Sequence, residues 1–220
     1  MDKIDVIRRL WQQNYEPAAG IASRVEYILS QFHVSDDVIN DVLGEIYLAD
    51  TKPFAISGAY EVMNMIMSRG SRLVIWTQGD PQYQHAKLSH FGLDQLMRVP
   101  ELLVAVDKCQ ALETLENLVE HTSCVLIDDR SHFLMKAQER LQTILKPKSH
   151  IHTVFVSQKR EEVGFAPTYQ VDTVATLLDA QYHALFEEKT LVFLDFYRTL
   201  FDPEAYVDSV ILPTLGEAVA

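Results

Sequence analysis

Five short apolar runs pace the second half and middle of the chain: Leu73–Trp76, Leu102–Val106, Cys124–Ile127, Ile151–Val156 and Leu191–Leu194. Most carry apolar side chains at consecutive rather than alternate positions. A strand of that kind must be covered on both faces, because successive side chains point to opposite sides of a sheet. Helix-patterned stretches lie between most of the runs. Val62, Met63, Ile66 and Met67 form one apolar stripe, stopped at Arg69-Gly70, and Asp80-Pro81 opens another helix with proline at its first position. Strands alternating with helices predict an α/β fold with a mainly parallel sheet and helices on both faces, in three layers. None of the runs approaches the length needed to span a bilayer.

The first fifty residues have a different texture. Ile4, Ile7, Leu10 and Trp11 recur at helical spacing, as do Ile21, Val25, Ile28 and Leu29. A third helix is expected after Ser35, a good N-cap, with Asp36 and Asp37 in its first turn and Val38, Val42 and Ile46 on one face. No strand candidate interrupts them. The expected division is a helical unit over 1–52, with 203–220 as its other part, beside an α/β core over 53–202.

Charge narrows the partners. Nineteen Lys and Arg stand against 31 Asp and Glu, a formal net charge of −12. Such a surface repels nucleic acid and anionic lipid, although a local cationic pocket for a small anion remains open to it. The start, MDKIDVIRRLW, has no signal-peptide pattern, and Cys109 and Cys124 match no zinc or redox spacing. A soluble cytoplasmic protein with reduced cysteines is expected.

In open parallel sheets, ligands sit beyond the carboxyl ends of strands. Leu73–Trp76 is followed by Thr77-Gln78-Gly79-Asp80-Pro81, where a hydroxyl, a glycine and a helix start can present donors to an anion. Val125–Ile127 leads into Asp128-Asp129, and Leu191–Leu194 into Asp195-Phe196-Tyr197-Arg198-Thr199. Asp107-Lys108 follows Leu102–Val106. Were these ends to converge, three carboxylates, two threonines and a lysine would share a pocket. Clustered carboxylates need a cation or a proton to coexist, and an all-oxygen donor set favours Mg²⁺. Such a set suits phosphoryl transfer with a carboxylate nucleophile. His150 and His152 would share a strand face, but no third ligand completes a metal site there. Lys87 is expected on a helix surface.

Taken together, these segments resemble the haloacid dehalogenase (HAD)-like hydrolase superfamily, which has a Rossmann-like core. Val192–Leu200 is similar, incompletely, to its nucleophile motif. Ile75–Gly79 resembles its second motif, Lys108 its third-motif lysine, and Leu126–Asp129 its acidic fourth motif. The likeness covers roughly residues 53–175 and 190–203. It implies Asp195 as nucleophile on a strand at 190–195, with Thr199 steadying its loop. It also implies Thr77, Gln78, Gly79 and Lys108 as phosphoryl contacts, and Mg²⁺ held by Asp195, Asp128, Asp129 and the main-chain carbonyl of Tyr197. The nucleophile motif normally opens such proteins, and here it comes last. The order resembles a circular permutation with the new ends inside a small helical cap.

Three departures bear on activity. Tyr197 stands where the family's phosphatases have an aspartate acting as general acid and base, and a phenol near its reference pKa of about 10 is a poor base at neutral pH. Losing such help typically costs ~10²–10⁴-fold in rate. Arg198 replaces a glycine, and Arg130-Ser131-His132 lacks the further acid of many relatives. The resemblance implies an Mg²⁺-dependent phosphatase of a small phosphomonoester. Tyr197 also resembles the metal-independent dehalogenases, which leaves C–halogen hydrolysis as a second reading. A catalytically impaired HAD-fold protein that binds a ligand or partner is the third. A homodimer joined through the cap is a further expectation.

Overall fold

The computed structural model describes residues 3–13, 20–115, 123–147, 149–157 and 165–220. Six strands form one sheet: β1 (Arg72–Gln78), β2 (Glu101–Ala105), β3 (Ser123–Asp128), β4 (His150–Val156), β5 (Tyr169–Val171) and β6 (Thr190–Asp195). Their order across the sheet is β2-β1-β6-β3-β4-β5, and every pairing is parallel. β6, the latest in sequence, therefore lies at the centre, with Trp76 opposite Asp195 on one side and Ile127 opposite Leu194 on the other. All six of its residues are buried, as its uninterrupted apolar run requires.

Strand alternation sorts the core into two layers. Val74, Trp76, Cys124, Leu126, Leu191 and Phe193 gather on one face with Leu134, Ala137 and Leu141 of helix α7 (Ser131–Ile144). Those three recur at i, i+3 and i+7, the stripe of an amphipathic helix. The intervening strand residues point the other way. Helix α4 (Ala59–Ser68) buries Val62, Met63, Ile66 and Met67 and packs on β1 and on the 3₁₀ turn at Val174–Leu178. This is the expected three-layer α/β/α arrangement. Gly58, at φ +84°, lies so close to the 3₁₀ turn that a Cβ there would come within 2.6 Å of Ala175 Cβ. β5 was not expected from the sequence, because its three residues contain no apolar run and only Val171 is buried.

The chain divides into two compact units. The one just described comprises residues 55–78 and 93–202. The other comprises 1–54, 79–92 and 203–220 and is helical: α1 (Lys3–Gln13), α2 (Gly20–Ser30), α3 (Asp36–Leu48), α5 (Pro81–His90), α8 (Pro203–Tyr206) and α9 (Leu212–Ala218). Ser35 holds the N-cap position of α3 with extended backbone but without a side-chain cap bond. Between α8 and α9 the helix widens into a π turn over Val207–Ile211. Pro213 has no N–H to close an ordinary turn there, and Thr214 Oγ1 donates instead to the carbonyl of Val210, at 2.9 Å. Tyr206 is buried and donates its hydroxyl to the carbonyl of Ile46, at 2.9 Å. Lys87 corrects the expectation of a surface residue: it is buried, with Nζ 4.5 Å from the centre of the Tyr83 ring. The inner face of α5 is Gln84, Lys87 and Leu88, so the lysine stem takes the place of an apolar side chain and leaves no periodic signal. No helix among the described residues is long and apolar enough to cross a membrane.

Candidate active site

Parallel pairing brings the carboxyl ends of β1, β2, β3 and β6 to one edge of the sheet, and the register fixes what meets there. Ile127 pairs with Leu194, so the next residues, Asp128 and Asp195, stand side by side. Trp76 pairs with Asp195, which sets Thr77 one step beyond it. From β2 the chain turns at Asp107, whose carboxylate caps the short helix α6 (Lys108–Ala111) by accepting from the amides of Cys109 and Gln110 at 3.0 and 3.1 Å. That cap directs Lys108 into the protein, where its side chain is only 2% exposed.

Lys108 joins the two strands. Its Nζ donates to Asp128 Oδ2 at 2.5 Å and to Asp195 Oδ1 at 2.6 Å. Two rings wall it in, with Nζ 4.3 Å from the centre of Trp76 and 4.5 Å from that of Phe133. Cation–π contact is strongest where water is excluded, so both rings help to hold a buried ammonium. Sequence reasoning missed Trp76 and Phe133 as parts of the site. The available signal was the large aromatic at the end of an apolar run, one step before Thr77.

The segment after Asp195 closes into one loose helical turn. The carbonyl of Phe196 accepts from the amides of Leu200 and Phe201, both at 3.0 Å, and Arg198 N–H donates to the carbonyl of Phe201 at 2.8 Å. This closure buries Thr199 fully and stacks Phe196 on Phe201, with ring centres 5.1 Å apart. Tyr197 is half-buried, its ring 6.1 Å from that of Phe201. Arg198 is exposed, with φ of +61°. The hydroxyls of Thr77 and Thr199 are buried and have no hydrogen-bond partner among the described residues. Buried hydroxyls are rarely left unsatisfied, so two of them beside Asp195 point to a ligand with acceptor oxygens. Gly79 has φ of +142°, and a Cβ there would come within 2.7 Å of Gln84 Nε2; Gln78 is half-buried at the end of β1.

Carboxylate oxygens of Asp128, Asp129 and Asp195 can all lie within 4.8 Å of one another. Burial raises the pKa of Asp195; Lys108 opposes the shift and Asp128 and Asp129 add to it. Asp129 is pushed up to about 6, first by burial and then by Asp128, while Arg130, Arg198 and Lys108 pull it back. Burial disfavours the Lys108 ammonium, but Asp195 and Asp128 outweigh it and its pKa is raised. Two buried carboxylates, with the partly buried Asp129 beside them, thus share a single buried ammonium. The donor set fits a hard divalent cation. Asp128 already accepts from Lys108 through Oδ2 and from Arg130 N–H through Oδ1, at 2.9 Å. Asp129 and Asp195 are therefore the better-placed direct ligands, and Asp128 orients Lys108. His150 and His152 do share a face of β4, with ring centres 6.5 Å apart, and His152 packs beside Tyr169.

No family model matches the chain, and no curated protein does. Among solved structures, it is similar to a crystal structure from Burkholderia xenovorans LB400 described as a haloacid dehalogenase-like hydrolase. The two are 17% identical over 72% of this chain and 74% of that one, with a TM-score of 0.55. Likeness at that identity is one of fold. The two share an α/β fold.

Proposed function

We propose that the chain is a HAD-like hydrolase that cleaves a small phosphomonoester, with Asp195 as nucleophile. The observations that carry this reading are Lys108 bridging Asp195 and Asp128, and the unpartnered buried hydroxyls of Thr77 and Thr199 on the segments that follow β1 and β6. A carboxylate nucleophile needs to be ionised and aimed. Lys108 aims it, because its bond to Oδ1 leaves Oδ2 to attack. Its charge opposes without overcoming the burial that raises the Asp195 pKa, and a bound cation would complete the ionisation. Thr77 and Thr199 would donate to phosphoryl oxygens, whose negative charge would meet fixed donors. Mg²⁺ held by Asp195, Asp129 and the Tyr197 carbonyl, with Asp128 behind them, would neutralise the carboxylates and draw charge from the phosphoryl group.

Attack by Asp195 on phosphorus breaks the P–O bond to the leaving oxygen, which takes its proton from solvent, and leaves an aspartyl-phosphate. Water then attacks that phosphorus, returning the carboxylate and releasing phosphate. Tyr197 offers no efficient base for that second step. The reading therefore expects slow release of phosphate after a rapid first turnover. It also takes the chain order as a circular permutation. In support, β6 is latest in sequence yet central in the sheet, and α1 packs on α9, with Lys3 Nζ donating to the carbonyl of Val219 at 2.6 Å.

The test is hydrolysis of an aryl phosphate with Mg²⁺ and with EDTA, beside Asp195→Asn. The expected result is metal-dependent turnover, with an initial burst, that the substitution abolishes. Full turnover in Asp195→Asn refutes the assignment. Tyr197 favours one other reading, C–halogen hydrolysis with Asp195 attacking carbon; halide release from a 2-haloacid in EDTA would select it. A folded protein inactive in every arm would instead indicate a ligand-binding role.

A further inference from the structure

Two arginines lie on the loops that follow the two adjacent strands β3 and β6, within three residues of Asp129 and Asp195 in the chain. Arg130 comes directly after Asp129 and occupies the N-cap position of α7. Its Nε lies 4.0 Å from Asp129 Oδ1, and its guanidinium lies 5.7 Å from the centre of the Phe133 ring, the ring that also walls in Lys108. Arg198 comes three residues after Asp195 and is exposed. Its charge acts on Asp129, as that of Arg130 does.

We propose that the substrate carries a second anionic group besides its phosphoryl group, gripped by Arg130 and Arg198 at the rim of the Asp195 pocket; this rests on the phosphomonoester reading. The backbone at Arg198 supports it. A left-handed φ of +61° is free of strain only for glycine, and another residue holds it at a cost of roughly 1–2 kcal/mol. A long cationic side chain kept at such a position, on the nucleophile loop, points to a function for the side chain itself. The start of α7 adds to the positive field, because this fourteen-residue helix has no acidic residue in its first turn. Charge over the rest of the molecule is the reverse. A ligand with two anionic groups would be repelled by a chain of net charge −12 unless cations were concentrated where it enters. Guanidinium suits the task because its planar fork bonds a carboxylate or a phosphate through paired N–H groups.

Binding of unreactive probes separates this inference from the reading beneath it. Methylphosphonate has one anionic group, phosphonoacetate adds a carboxylate, and methylenediphosphonate adds a second phosphonate. Titration calorimetry in excess Mg²⁺ is expected to show one or both of the longer probes binding about tenfold or more tightly than methylphosphonate. The better of the two identifies the second group as carboxylate or phosphate. Arg198→Gly, which suits the local φ, and Arg130→Gln should each lower affinity for the favoured longer probe by a larger factor than for methylphosphonate, and so erode that advantage, with circular dichroism verifying the fold. Equal affinity for all three probes, or an advantage that survives in the double variant, overturns the inference and leaves the phosphatase reading standing. Failure of methylphosphonate to bind the folded protein overturns both.

Discussion

Replacing Lys108 by methionine removes the ammonium while keeping most of its length. Asp128 and Asp195, 0% and 3% exposed, would then face each other without their shared donor. Removing one partner of a buried ion pair costs about 3–5 kcal/mol. Urea denaturation of Lys108→Met in metal-free buffer at pH 7 should therefore show a loss of about 3–5 kcal/mol. The sign with pH follows from Asp195. Burial already raises its pKa, and losing Lys108, which opposes that shift, raises it further. A carboxyl whose folded pKa is raised takes up a proton on folding, so its contribution is full below about pH 4 and is lost as pH climbs toward the folded value. Asp195 is already pushed up to about 8 in the native protein. The deficit should therefore widen above about pH 8, where the native carboxyl ionises and the variant's does not, by up to about 1.4 kcal/mol per pH unit. Adding Asp195→Asn should recover part of it, because the two residues form one network. A variant as stable as the native protein at pH 7, or a deficit that ignores pH, would refute the claim that Lys108 neutralises this pair.

Tyr206→Phe should destabilise the helical unit by about 1–2 kcal/mol, because the buried carbonyl of Ile46 loses its donor. For a chain of this length, that is a fall in Tm of roughly 2–8 °C by calorimetry, and an unchanged Tm would contradict the bond. Burial pushes the Cys109 thiol up to about 11 and the Cys124 thiol higher still. At pH 8 only about one Cys109 in a thousand is then thiolate, so a disulfide reagent should label the native protein slowly and both cysteines after unfolding. Rapid labelling of folded protein would count against that burial.

What the sequence reveals here depends on whether a signal is local. Leu191–Leu194 admits little but a central strand, and a carboxylate immediately after it must lie at the strand's end; Asp195 was readable for that reason. Asp128 was readable in the same way, since it follows Val125–Ile127. Lys108 was harder. Its burial comes from residues 20 and 87 positions away, and the stretch around it looks like any polar turn. The paired roles of Asp128 and Asp129 separate only in three dimensions, where Lys108 and the Arg130 amide occupy both oxygens of Asp128. α5 was read as a helix from Asp80-Pro81, but only Leu88 on its inner face is apolar, so the sequence hid the burial of Gln84 and Lys87. β5 left no trace because an edge strand of three residues needs neither length nor a continuous apolar face.

The central place of β6 has a consequence for how the molecule assembles. Every other strand is synthesised before it, yet β1 and β3 each pair with β6 and never with each other. Until it arrives, the nascent chain can form β2-β1 and β3-β4-β5 only as two partial sheets with unsatisfied inner edges. Such edges invite pairing with other chains, and closing the gap requires contacts spanning more than a hundred residues, which slows folding. The strand that ends in Asp195 is also the keystone of the sheet, so the candidate site and the cooperative core form in the same late event. Truncation just before residue 190 would leave an aggregation-prone intermediate rather than a smaller folded protein.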